Sequence, residues 1–153
     1  MLRDKPDWGL WEEEVCDRLG GHHVAASGAT DYCKGDVKTD KWLIDCKYTS
    51  STGYGLLLGM WNKISSWARN EGRLPCILLR VAGVRDKAIM RDQDFHELVN
   101  SLVIEPFPDS AKGQKSKVVG KTDEIELFRL GNELLACVPF ESVEKLMKVN
   151  DED

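Results

Sequence analysis

Trp42-Leu43-Ile44-Asp45-Cys46-Lys47-Tyr48 reads as an apolar strand that ends in charge. In an extended chain alternate side chains share a face, so Asp45 and Lys47 project together while Ile44, Cys46 and Tyr48 project the other way. A carboxylate and an ammonium at the end of an apolar strand must be paired or must bind something, because unpaired charge is costly to bury. Upstream, Asp36-Val37-Lys38 and Lys41 to Tyr48 read as a hairpin around Thr39-Asp40. That turn brings Asp36 close to opposite Asp45, to within a residue or two of register. Two carboxylates so placed repel unless a cation lies between them. A hard divalent metal, held by Asp oxygens and water, satisfies both.

Such a centre suits phosphodiester hydrolysis. A metal there holds a phosphate oxygen and lowers the pKa of a bound water. Lys47 can orient the attacking water or stabilise developing negative charge. A third acid often completes the shell, and Glu12 is the candidate from Glu12-Glu13-Glu14. It falls in line with Trp8, Val15 and Leu19 and so faces inward, whereas Glu13 and Glu14 project toward solvent or the flank. Asp-x-Lys alone is a weak signal, with about one such triple expected by chance in a chain this size. Asp36-Val37-Lys38 is a competing triple, set aside because no apolar strand precedes it. The plainer alternatives are a structural ion pair for Asp45 and Lys47 and a solvated helix residue for Glu12.

Working outward, residues 7–19 have the spacing of a helix capped by Asp7 and ended by Gly20-Gly21. His22 to Ser27 fits a short strand and Gly28 to Gly35 a polar loop. Ser50 to Gly53 is a linker. Leu56 to Asn70 predicts a second helix, apolar on more than one side through Leu57, Met60, Trp61, Ile64, Trp67 and Ala68. Pro75 to Val81 predicts a central strand, Ala88 to Met90 a short strand, and Asp92 to about Leu102 a helix. Pro106 to Lys121, with Lys112, Lys115, Lys117 and Lys121, predicts a mobile loop. Glu124 to Leu130 and Glu133 to Val138 flank Gly131-Asn132 as a hairpin. Glu141 to Lys148 predicts a last helix and Asn150 to Asp153 a frayed acidic tail.

The 153 residues suit one domain, with a core over about 7–103 and a C-terminal extension over about 104–153. The composition, 42% hydrophobic and 31% charged, is that of a soluble globular protein. No run approaches a membrane span and no signal peptide is evident, which makes the cytoplasm of a bacterial or virus-infected cell the expected location. Five cysteines without Cys-x-x-Cys spacing argue for reduced thiols rather than disulfides or zinc. The net charge of −5 is uneven. Residues 122–153 hold nine acids against three bases, which leaves residues 1–121 at +1. The overall sign therefore does not exclude a nucleic-acid partner, because local basic patches decide such binding.

Glu12 on a first helix, then Leu19-Gly20-Gly21, Ala26-Ser27-Gly28, Lys34-Gly35-Asp36-Val37 and Leu43-Ile44-Asp45-Cys46-Lys47-Tyr48-Thr49, form an order that resembles the PD-(D/E)XK nuclease superfamily. It looks most like the Holliday-junction resolvases of archaea and of bacterial viruses. The resemblance is densest over residues 8–81 and does not extend past about residue 103. It implies a restriction-endonuclease-like α/β fold, a mixed β-sheet flanked by helices, to which the extension would add a β-hairpin and a short helix. It further implies a Mg²⁺-dependent homodimer, with Mn²⁺ able to substitute, that nicks branched DNA. Glu12, Asp36, Asp45 and the backbone carbonyl of Cys46 would be metal ligands, Lys47 the catalytic lysine, and Ser27 a neighbour of the scissile phosphate. Asp45 stands where Glu is commoner in the superfamily.

Lys34, Lys38, Lys41 and Lys63 could hold phosphates, and the lysines of 112–121 could track DNA or simply be solvated. The surplus apolar surface of residues 54–68, with Trp61 and Trp67 on different sides, suggests a dimer interface. The competing readings are a nuclease of the same fold acting on duplex or single-stranded DNA, and a catalytically silent nucleic-acid-binding protein.

Overall fold

The structure is a computed structural model and describes residues 7–23, 37–82, 86–101 and 114–148. In chain order the elements are α1 (Asp7–Leu19), β1 (His22–His23), β2 (Val37–Lys38), β3 (Trp42–Thr49), β4 (Tyr54–Leu57), α2 (Leu58–Asn70), β5 (Leu74–Val81), β6 (Lys87–Arg91), α3 (Asp92–Leu98), β7 (Ser116–Val119), β8 (Glu126–Leu130), β9 (Glu133–Pro139) and α4 (Phe140–Met147). Seven strands make one mixed sheet in the order β1-β2-β3-β5-β6-β9-β8. This is the α/β architecture expected from the sequence, a mixed sheet flanked by helices.

β3 and β5 are its parallel pair, with Asp45 opposite Ile77 and Lys47 opposite Leu79. A parallel pair needs a long crossover, and β4 with α2 supplies it. β5 is a nearly unbroken buried run from Pro75 to Leu79 because helices cover it on both faces. On one face Trp11, Val15 and Leu19 of α1 pack with Ile44, Cys46, Cys76, Leu78 and the α4 residues Phe140 and Val143. On the other, Trp61, Ile64 and Ala68 of α2 pack with Leu43, Ile77, Leu79 and Ile89. The alternation of β3 is therefore real: even positions enter the α1 side, and Leu43, Asp45 and Lys47 share the α2 side.

Several boundaries differ from the sequence reading. Leu56 and Leu57, expected to open α2, instead end the strand Tyr54–Leu57, which pairs antiparallel with β7 in a separate two-stranded ribbon, Tyr54 opposite Val119. Ser116–Val119 lies inside the stretch expected as a loop and is ordered by that same pairing. α3 stops at Leu98, and Asn100 then takes a left-handed φ of 57°. Of the strand expected over His22 to Ser27, His22 and His23 are seen, while Ser27 and Lys34 lie outside the described residues. Residues 104–153 do supply the expected hairpin and helix, but as part of the main sheet: β9 pairs directly with β6. Glu133 pairs with Leu130 across the turn, where Gly131 has φ 64°, a conformation suited to glycine.

Trp61 is fully buried within the chain, and Phe128, Leu130 and Leu135 of the C-terminal hairpin belong to its cluster. The apolar surplus read from the sequence is thus partly consumed inside one chain, because β8 and β9 complete the sheet beneath α2. Cys16, Cys46, Cys76 and Cys137 are free thiols. Burial pushes Cys76 up and Cys137 to about 12, as befits inert core sulfurs.

Candidate active site

Asp45 and Lys47 sit on the exposed-edge half of β3. Among the described residues, β2 pairs only with Leu43 and Ile44, so from Asp45 onward β3 has β5 as its strand neighbour. Lys47 Nζ lies 3.4 Å from Asp45 Oδ2, and both side chains are half-buried. The alternation that the sequence predicted is therefore observed.

Glu12 joins them from α1. Its neighbours Trp11 and Val15 are fully buried, and Trp11 donates its indole N–H to the Leu78 carbonyl at 2.9 Å, which fixes the rotation of the helix against the sheet. Glu12 is half-buried beside that anchor. Its carboxyl is held above the ordinary 4.5, first by burial and then by the negative charge of Asp45, with Lys47 pulling the other way. The ammonium does not offset the other two influences. Glu12, Asp45 and Lys47 thus form one electrostatic cluster.

Tyr54 belongs to the same cluster and was not found from the sequence. Burial raises its phenol, Lys47 lowers it and Asp45 raises it again. No motif marks it; strand β4 turns it toward β3 only because β4 pairs with β7. Glu14, on the flank and partly open to solvent as expected, accepts two hydrogen bonds from Arg80, at 2.9 and 2.8 Å, and one from Arg18 at 2.8 Å. The cause is Arg80 on β5, which reaches back to α1 across the face of Trp11, 4.1 Å from the ring centre.

The other expected residues divide. Asp36, Ser27 and Lys34 lie outside the described residues. Lys38 is bonded to Glu71 at 3.2 Å, so the competing Asp-x-Lys triple has its lysine engaged in an ion pair. Lys41 is exposed. Lys63 is exposed on α2, with its ammonium 5.7 Å from the centre of the Trp67 ring. Cys46 is buried in the α1-side core.

Glu12 and Asp45 offer carboxylate oxygens, the donors that Mg²⁺-class ions take. Among the described residues, no three His, Cys, Asp or Glu side chains converge as a ligand group. Glu12 and Asp45 are the acids of this cluster that could hold such an ion. Among the described residues no helix is long and apolar enough to cross a membrane.

No protein-family model and no curated protein matches this chain. Among solved structures, it is similar to Hjc of Archaeoglobus fulgidus, a Holliday junction resolvase from an archaeal hyperthermophile. The match has 15% identity over 52% of this chain and 74% of that one, with a TM-score of 0.44, a likeness too distant to carry an argument about activity.

Proposed function

We propose that this chain is a metal-dependent nuclease that hydrolyses DNA phosphodiester bonds at the Glu12, Asp45 and Lys47 centre. The observation that carries the reading is the convergence of two carboxylates and a lysine, 3.4 Å apart at the Asp45–Lys47 contact, with Glu12 held above its ordinary pKa by burial and by Asp45. A perturbed acid gathered with a second carboxylate and a lysine is an arrangement that suits acid–base and metal chemistry.

In this reading Glu12 and Asp45, together with Asp36 and the Cys46 carbonyl, hold Mg²⁺ or Mn²⁺. When bound, the ion would polarise the phosphate and acidify its water. Lys47 is placed to hold the attacking water or to stabilise the charge that builds on the phosphate oxygens. Tyr54, with a hydroxyl in the same field, can donate a hydrogen bond to a phosphate oxygen. Ser27, Lys34 and Lys63 would hold the flanking backbone, and the ammonium of Lys117, 5.8 Å from the centre of the Phe128 ring, lies over β8. A four-way junction is the favoured substrate, and two copies related by a two-fold axis would make matched nicks. That interface cannot use Trp61, which the chain already buries.

The deciding experiment is cleavage of a four-way junction, a plain duplex and a single strand, each with Mg²⁺ and with EDTA. Metal-dependent nicking of the junction at paired positions is expected. Cutting of duplex or single strands alone would keep the nuclease and discard the resolvase. Binding without cutting in any metal would leave a silent nucleic-acid-binding protein.

A further inference from the structure

At the opposite end of β3 and β5 from Asp45 and Lys47, a cleft of about 240 Å³ is lined by Ser65, Arg69, Gly72, Arg73, Pro75 and Arg91. The three arginines come from three places: the end of α2, the turn into β5 and the end of β6. Three arginines thus line one cleft in a chain of net charge −5.

Internal partners use only part of this capacity. Arg73 donates from Nε to the Thr39 carbonyl at 2.8 Å and from Nη1 to Glu71 at 2.8 Å. Arg91 donates from Nε to Asp94 at 2.7 Å. Neither Glu71 nor Asp94 lines the cleft. Each bond holds its arginine in place by one edge and leaves further N–H donors of the planar fork, which suits bidentate capture of an oxyanion. Arg69 is exposed at the rim. Gly72, with φ 70° and open space where a Cβ would stand, keeps the turn from filling the cleft.

We propose that the Arg69, Arg73 and Arg91 cleft is a second site, which binds a phosphate group. Its volume lies below the roughly 300 Å³ at which ligand pockets for drug-sized molecules begin, so it suits one phosphate rather than a whole nucleotide. Pro75 pairs with Leu43, four residues before Lys47, so the cleft lies about 13 Å along the strand from the catalytic lysine. It is separate from that centre and does not depend on the nuclease reading. The phosphate could be free or part of a nucleic-acid backbone; the chemistry is the same.

The test uses the full chain titrated with inorganic phosphate against chloride of matched ionic strength, read by calorimetry and by thermal shift. Wild type should bind phosphate and gain Tm. Arg69→Gln, which leaves untouched the backbone bond from the Gly72 N–H to the Arg69 carbonyl, should weaken phosphate binding by about tenfold. Arg91→Lys, which keeps the charge and can still reach Asp94 but loses the fork, should weaken it as well. Duplex binding in EDTA identifies the source. A flatter salt dependence in Arg69→Gln, by about one phosphate contact, assigns the site to a nucleic-acid backbone, whereas an unchanged one assigns it to free phosphate. No phosphate response beyond chloride, or an Arg69→Gln response equal to wild type, overturns the proposal whether or not the protein cuts DNA.

Discussion

Glu12 and Glu14 lie two residues apart on one helix and are moved in opposite directions. Glu14 is pulled below the ordinary 4.5, first by its hydrogen bonds to Arg80, with Arg18 adding to them against the cost of burial. Glu12 is pushed above the same value by burial and by Asp45. Around Glu14 the carboxylates are held by guanidinium hydrogen bonds: Arg80 also binds Asp86, at 2.9 and 2.8 Å, and Arg18 binds Glu144, at 3.0 and 2.6 Å. This network ties α1 to β5, to α4 and to the residue before β6, and it explains itself as structure. Around Glu12 burial comes first and the charge of Asp45 second, with Lys47 opposing them. The contrast separates a complete cluster, closed by guanidinium hydrogen bonds, from one in which burial and a neighbouring carboxylate hold an acid up.

The sharpest way to break the comparison is to change the Glu12, Asp45 and Lys47 cluster. Asp45→Asn, and Asp36→Asn with it, should abolish cleavage while the domain stays folded and still binds DNA, since each loses a ligand and a negative charge. Lys47→Ala should slow single-turnover cleavage by about 10²- to 10⁴-fold. Lys38→Ala should lose far less, because Lys38 serves Glu71 instead. The reverse ranking would place the chemistry at the other Asp-x-Lys triple.

Removing the complete cluster should act on stability instead. Arg80→Ala strips Glu14 and Asp86 of a shared partner and Trp11 of its covering cation. A loss of about 1–3 kcal/mol is expected, discounted because these groups are partly exposed. Denaturant unfolding measures it; an unchanged midpoint would mean the network is ornamental.

Acid should distinguish the two glutamates. Glu14 and Glu144 are both lowered, each chiefly by an arginine hydrogen bond. Their stabilisation is present above the ordinary 4.5 and is lost as pH falls through the lowered values. Wild-type Tm should therefore drop between about pH 5 and pH 3. The Glu14→Gln/Glu144→Gln variant should start lower at pH 7 and lose less on acidification.

Glu12 has the opposite sign. A raised folded-state value means that protonation favours the native form, so its ionisation above that value costs stability. Glu12→Gln, measured without divalent metal at pH 7, should raise Tm by about 1–3 °C while abolishing cleavage. A fall in Tm would show that Glu12 is already compensated, which removes the contrast with Glu14.

Much of this arrangement is legible along the chain. The period-two alternation of Leu43, Asp45 and Lys47 against Ile44 and Cys46 comes directly from the extended backbone. The inward placement of Glu12 follows from the helical spacing of its neighbours. The β8–β9 hairpin follows from Gly131-Asn132 between two β-rich runs. Each of these signals is local, carried by residues within a turn or a strand of one another.

What only the tertiary structure decided is what depends on partners distant in the chain. Leu56 and Leu57 read as helix because they are apolar and continuous with α2; they belong to a strand because β7, more than fifty residues on, pairs with them. Tyr54 joins the site by that same pairing. Glu14 is a surface glutamate by sequence and a network residue because Arg80 stands opposite it. The arginines at 69, 73 and 91 are unremarkable singly and meet only where the ends of α2, β5 and β6 coincide. Periodicity fixes which way a side chain faces relative to its own element, but the charge it meets there is set by sheet register and helix packing, which no local pattern encodes.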